Sequence, residues 1–118
     1  MAQVLVVDDD PAIRQLITDV LEIDGHHVRV AADGNAAVTA VELLRPDCVL
    51  LDVMMPGVDG YGVLRSIRSQ YGDQVAVIML TAAAEPASAL RAWEDGVDYY
   101  LAKPFDVDEL LELIDRFA

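Results

Sequence analysis

Carboxylates, a hydroxyl and an ammonium stand at the ends of apolar runs in this sequence. Asp8-Asp9-Asp10 follows Val4-Leu5-Val6-Val7, and Asp52 follows Cys48-Val49-Leu50-Leu51. Thr81 closes the run from Val75 to Leu80, and Lys103 stands just past Tyr99-Tyr100-Leu101-Ala102. Lys103 is the only lysine; the other seven basic residues are arginines. If the first and third runs are neighbours, Asp8, Asp9 and Asp52 crowd one another. Two carboxylates about 4 Å apart repel by roughly 4 kcal/mol at an effective dielectric near 20. Such a group calls for a neutralising cation. One held by one or two carboxylates, with water, a carbonyl and phosphate oxygens completing the shell, fits Mg²⁺. An in-line carboxylate nucleophile, a metal and an ammonium to balance charge, and a hydroxyl with backbone N–H groups to hold oxygens are what phosphoryl transfer requires.

Each residue alone has a plainer reading. Asp10 before Pro11 is a helix cap, with proline placed where no N–H is needed. A threonine after a strand is ordinarily structural, and a lysine is ordinarily a solvated charge. The constellation is what carries weight, and the elements that position it follow from the pattern. Continuous apolar runs at 4–7, 48–51 and 75–80 read as strands covered on both faces. His27-Val28-Arg29-Val30-Ala31 alternates and suits an edge strand, and Tyr99-Tyr100-Leu101 is a short fifth strand at the other edge. Helical stripes lie between and after them. They are Ile13, Leu16, Ile17, Val20 and Leu21, stopped by Gly25; Ala37, Ala40, Val41 and Leu44, stopped by Pro46; and Val63, Leu64, Ile67 and Tyr71, stopped by Gly72. Leu90 and Trp93 mark a fourth helix stopped by Gly96, and Val107, Leu110, Leu111, Ile114 and Phe117 mark a fifth. Strands alternating with helices imply a parallel sheet with helices on both faces and right-handed crossovers. In such sheets ligands bind beyond the carboxyl ends of the strands, where the polar groups converge.

The 118 residues make one domain, 1–118, with no linker or repeat. Eight basic against 21 acidic residues give a net charge of −13. That surface repels phosphate backbones and anionic lipids, which argues against direct nucleic-acid or membrane binding by this segment. One cysteine, Cys48, excludes an intrachain disulfide and a thiolate zinc cluster and reads as an inert buried residue. No apolar run is long enough to span a bilayer and the start has no leader pattern, so a cytoplasmic location is expected. His26 and His27 read as loop and strand-start residues. Trp93 reads as partly packed in the core, with an interface anchor as the alternative.

The residues also match a family. The chain resembles, over essentially its whole length, the receiver domain of two-component response regulators. The resemblance is carried by Val6-Val7-Asp8-Asp9-Asp10, by Leu50 to Gly60 around Asp52, by Leu80-Thr81-Ala82, and by Gly96 to Phe105 around Lys103-Pro104. It implies a (βα)5 flavodoxin-like three-layer sandwich with a five-stranded parallel sheet of order 2-1-3-4-5. It implies that Asp52 is the phosphoacceptor and that Asp8 and Asp9 bind Mg²⁺, or Mn²⁺ in its place, Asp9 directly and Asp8 through water. Met54 would offer the metal its backbone carbonyl. Val53 and Ala82 would offer backbone N–H groups to phosphoryl oxygens. Thr81 would close on the phosphoryl group, Lys103 would pair with the acceptor, Tyr100 would move with Thr81, and the Lys103–Pro104 peptide would be cis.

The implied activity is that of a phosphorylated signalling domain, not an enzyme with an external substrate. A histidine kinase or phosphotransfer protein would supply the group. The face of the fourth helix, fifth strand and fifth helix would then change affinity for an effector or for a second copy of the chain. Met54 carries no carboxamide to orient water, which leaves the lifetime of the phosphoryl group open, and Tyr99 stands where many relatives carry an acid. Two other readings compete: an unphosphorylated receiver-like interaction module, and a small Mg²⁺-dependent phosphatase with an aspartate nucleophile. The second is weakened by Pro11 directly after Asp8-x-Asp10 and by the absence of a late Gly-Asp-rich motif. A bare nucleotide-binding domain lacks its Gly-rich loop after the first strand.

Overall fold

The strands alternate their side chains between two buried layers, and this alternation aims the polar residues at their ends. In this computed structural model, residues 2–53, 60–81, 93 and 95–118 are described. The strands are β1 (Gln3–Val7), β2 (His27–Ala31), β3 (Cys48–Asp52), β4 (Ala76–Thr81) and β5 (Tyr99–Ala102). They form one sheet of order β2-β1-β3-β4-β5, and each pairing is parallel. The helices are α1 (Pro11–Ile23), α2 (Gly34–Leu43), α3 (Gly60–Tyr71) and a C-terminal helix (Val107–Phe117). The sequence places a fourth helix around Leu90 and Trp93. Leu90 lies outside the described residues; Trp93 is helical and half exposed, at 51%.

Leu5, Val7, Val49, Leu51, Val77 and Met79 face one core with Ala37, Val41, Val63, Leu64 and Ile67 of α2 and α3. Val4, Val6, Cys48, Leu50, Ile78 and Leu80 face the other, with Ile17 and Leu21 of α1 and Leu110, Leu113 and Ile114 of the C-terminal helix. Both faces of β1, β3 and β4 are covered, which is why their sequences run apolar without a break. Burial, followed by the nearby charges of Asp98 and Asp47, pushes the Cys48 thiol up to about 12, so it stays protonated and inert at neutral pH.

The helix ends follow local chemistry. Asp10 accepts the Ala12 N–H at 2.9 Å with Pro11 as the first helical residue, and Asp33 caps α2 through the Ala36 N–H at 2.8 Å. Gly72 and Gly96 hold left-handed φ of 59° and 92°, as helix stops require. Leu44 departs from the sequence reading: it is the extended cap after α2 and is 53% exposed. The end of α2 is instead held by Arg29 of β2, whose guanidinium donates to the carbonyls of Ala40 and Leu44.

At the amino ends of β4 and β5, Arg68 of α3 ties the segment before β4 to the segment before β5. It donates to the carbonyls of Gly72 (2.7 Å), Val75 (2.6 Å) and Gly96 (2.7 Å) and to the Asp98 carboxylate at 2.7 Å. The same Asp98 oxygen accepts the Val77 N–H at 2.8 Å. Charge-assisted bonds contribute about 1.5–3 kcal/mol each, but this group is partly exposed and solvent replaces some of them. Arg68→Met is expected to lower stability by about 2–3 kcal/mol in a urea titration, with the slope unchanged. A loss under about 0.5 kcal/mol, the range of ordinary surface substitutions, would refute this role.

Candidate functional site

Register brings the two buried acids together. β1 pairs with β3 from Val4↔Cys48 to Val7↔Leu51, so Asp8 stands one step on, beside Asp52. Both continue rows already facing the α1 side, Val4-Val6-Asp8 and Cys48-Leu50-Asp52. Neighbouring strands are about 4.8 Å apart, and same-face residues in register meet at that spacing. Asp8 and Asp52 are 1% and 5% exposed. Asp9 comes from the exposed turn after β1. One oxygen from each of Asp8, Asp9 and Asp52 lies within 4.8 Å of the others.

The acids are held individually. The Asp8 Oδ1 atom accepts the Asp10 N–H at 2.9 Å, and its Oδ2 accepts from Lys103 Nζ at 3.1 Å. Arg14 Nη1 of α1 donates to the Asp8 carbonyl at 2.8 Å and fixes the turn from behind. Lys103 Nζ also reaches Asp52 Oδ1 at 3.7 Å. Thr81 ends β4 beside these groups and is 3% exposed. Its carbonyl accepts the Lys103 N–H at 2.6 Å, so hydroxyl and ammonium are carried by adjoining backbone. The Lys103–Pro104 peptide is cis. Tyr100 packs against the α2–α3 core with its hydroxyl buried and, among the described residues, without a hydrogen-bond partner.

Asp8, Asp9, Asp52, Thr81 and Lys103 are therefore brought to one end of the sheet. Met54 and Ala82, expected to offer a carbonyl and an N–H, lie outside the described residues. Val53, also expected to offer its N–H, lies just past the end of β3, and in this structure that N–H donates to the Leu80 carbonyl at 3.0 Å. That bond belongs to the last step of the β3–β4 ladder, Asp52↔Leu80. Sequence reading passed over Arg14. Its position one turn into α1 placed it near Asp10, but nothing in the sequence marks a bond to the Asp8 carbonyl.

Three carboxylates facing one ammonium leave an excess of negative charge, two of the three acids being buried. The donor set is all oxygen, which suits a hard divalent cation such as Mg²⁺. Asp8, Asp9 and Asp52 would hold it, and it would supply charge balance at a transferring phosphoryl group. Mg²⁺ should stabilise the native state by mass action, about 1.4 kcal/mol at ten times its dissociation constant. Thermal melts over a Mg²⁺ series check this; a melting temperature unchanged at tens of millimolar would count against the cluster as a cation site.

Another His-Asp group lies at the opposite end of the sheet, formed by Asp24, His26 and Asp115. There His26 Nδ1 accepts the Ala2 N–H at 3.0 Å, and Nε2 lies 3.2 Å from Asp24. An acceptor role at Nδ1 leaves the proton of a neutral ring on Nε2, directed to the carboxylate, so this histidine fastens β1 to β2.

Comparison with known proteins agrees with this geometry. Residues 4–115 match the family model of the response regulator receiver domain. The DNA-binding response regulator MtrA of Mycolicibacterium smegmatis is 44% identical over 109 residues, covering 92% of this chain and 47% of that protein. The DNA-binding dual master transcriptional regulator RpaA of Synechocystis is 39% identical over 112 residues, 94% of this chain and 46% of its own. The chain thus spans about half the length of these curated relatives. Among solved structures, chemotaxis protein CheY4 of Vibrio cholerae superposes with a TM-score of 0.93 at 33% identity, covering 100% of this chain and 99% of that one. The receiver domain of the Francisella response regulator 1452 gives 0.92 at 34% identity, covering 99% and 96%. With this sheet order, this family match and these relatives, the chain belongs to the response regulator receiver domains.

Proposed function

We propose that Asp52 accepts a phosphoryl group from a phosphohistidine of a histidine kinase or phosphotransfer protein. A carboxylate oxygen of Asp52 attacks phosphorus, the P–N bond breaks, and the imidazole leaves with its electron pair, giving an acyl phosphate and free histidine. The observation that carries this is the placement of Asp52. It is a buried acid at a strand end, 3.7 Å from the chain's only lysine and within 4.8 Å of two further carboxylates that suit a dication. Lys103 steadies Asp52 before transfer and the equatorial oxygens afterwards, and Thr81 donates its hydroxyl to them. Asp8, Asp9 and Asp52 would hold the metal with the Met54 carbonyl, and the Ala82 N–H would meet a phosphoryl oxygen. Water attack on the acyl phosphate later returns the domain to rest.

The donor needs a seat beside Lys103. An apolar groove of about 410 Å³ lies there, lined by Ile13 and Leu16 of α1 and by Lys103, Pro104, Phe105 and Val107. Leu16 is 48% exposed, more than an inward helix position warrants, which suits a docking helix of the donor. The output is a two-state change: the phosphoryl group adds about −2 charge, Thr81 follows it, and Tyr100 moves with Thr81. Trp93, half exposed, is on the face that would meet an effector or a second copy. The acidic surface argues that DNA contact, named for the relatives, is not made by these residues.

The experiment is incubation with acetyl phosphate, with and without Mg²⁺, followed by intact mass. A gain of one phosphoryl group that requires Mg²⁺ is expected. No gain would favour the unphosphorylated interaction module, and steady turnover of a small phosphomonoester would favour the phosphatase.

A further inference from the structure

We propose that Gly60 is a positioning residue for the phosphoacceptor, its missing side chain being what allows the first turn of α3 to brace the Asp52–Val53 peptide. This rests on the reading of Asp52 given above. A Cβ at Gly60 would stand 2.6 Å from the Asp52 carbonyl oxygen, 2.9 Å from Val53 Cα and 3.2 Å from Met79 Cε. The first two are backbone atoms, at distances that carbon contacts essentially never reach. Conformational freedom is not the reason for this glycine. Among the described residues, positive φ occurs at Gly25, Gly72 and Gly96 and not at Gly60. What the position requires is room.

The braced peptide has little freedom to retreat. On its other side the Val53 N–H is bonded to Leu80 of β4 at 3.0 Å, while the Gly60 N–H points back to the Val53 carbonyl at 3.4 Å. Nor can α3 lift easily, because it buries Tyr61, Val63, Leu64 and Ile67. An added methyl must therefore rotate the peptide that carries Asp52 or tilt the helix against it. Asp52 meets Lys103 at 3.7 Å and lies within 4.8 Å of Asp8 and Asp9, so a small rotation changes both relations. Displacements near 1 Å in a reacting constellation cost on the order of 10²-fold in rate.

The test compares the wild type, Gly60→Ala, Gly60→Ala with Met79→Ala, and Val41→Ala. The last opens the same core from α2, at a buried site outside the acid cluster. Three readouts are taken below each melting temperature, with trimethylamine N-oxide to keep Gly60→Ala folded: the Asp52 carboxyl carbon resonance without metal, the Mg²⁺ dissociation constant, and the rate of phosphoryl uptake from acetyl phosphate. Gly60→Ala is expected to move the Asp52 resonance, weaken Mg²⁺ binding and slow uptake by about 10-fold to 100-fold. Met79→Ala should not rescue it, and Val41→Ala should lower the melting temperature while leaving all three readouts near wild type. The inference is overturned by an unmoved Asp52 resonance with a wild-type rate, by rescue through Met79→Ala, by equal slowing in Val41→Ala, or by a Gly60→Ala chain that does not fold even with the osmolyte. If the wild type itself takes up no phosphoryl group, the phosphoacceptor reading fails, and the Asp52 resonance still decides whether Gly60 positions that side chain.

Discussion

Asp52→Asn is expected to gain no phosphoryl group from acetyl phosphate and Mg²⁺ under conditions that label the wild type fully. The carboxamide has nearly the shape of the carboxylate, so packing is preserved at this 5% exposed position. It is a poor nucleophile toward phosphorus and cannot form the acyl phosphate. Loss of uptake with retained fold would therefore isolate the chemistry from the structure. The same change alters the electrostatics in a way that can be measured separately. One of three carboxylates within 4.8 Å becomes neutral. Repulsion of roughly 3–4 kcal/mol per pair at an effective dielectric near 20 is relieved, offset by loss of the attraction to Lys103 at 3.7 Å. Metal-free Asp52→Asn should thus melt no lower than the wild type, and Mg²⁺ should raise its melting temperature less. Intact mass and two thermal melts suffice. Labelling of the variant at the wild-type rate would exclude Asp52 as the acceptor, whatever the melts show.

Legibility in the sequence followed the range of the interaction. Strand bounds came within a residue or so because each strand is a short apolar run with a polar stop, as at Leu51-Asp52 and Leu80-Thr81. The α1 start was readable because Asp10 and Pro11 act within one turn. Convergence of Asp8, Asp52, Thr81 and Lys103 was readable because parallel sheets place the ends of their strands together. What failed to show were contacts chosen by three-dimensional proximity. Arg68 meets Asp98 thirty residues away, and Arg29 meets the end of α2. Gly60 was visible only as part of a motif, because nothing in a sequence tells a glycine needed for φ from one needed for space. Leu16 was assigned to the core stripe by its spacing, and the fold leaves it half exposed on the groove beside Lys103.

Lys103→Ala should show the second large effect, opposite in sign with and without metal. Among the described residues, Lys103 is the one cation within ion-pair distance of Asp8, at 3.1 Å, and Asp8 is 1% exposed. Removing one partner of a buried pair leaves an uncompensated charge and costs about 3–5 kcal/mol. The lower end applies here, because Lys103 keeps about one fifth of its side chain in solvent and Asp8 retains the Asp10 N–H bond. The metal-free variant should therefore lose about 3 kcal/mol, roughly 10 °C in a domain of this size. The ammonium is also a like charge beside any dication, so its removal should leave Mg²⁺ binding at least as strong, and the Mg²⁺-induced rise in melting temperature should exceed that of the wild type. Coupling to the distant face should be lost at the same time. Lys103 shares its backbone with Thr81 through the 2.6 Å bond and would be the group that draws the phosphoryl oxygens toward β4. Trp93 emission, followed before and after acetyl phosphate, reads that coupling. A variant that melts like the wild type without metal would remove Lys103 from the charge balance of Asp8. One that keeps the full wild-type change in Trp93 emission on phosphorylation would show that the signal leaves the site by another route.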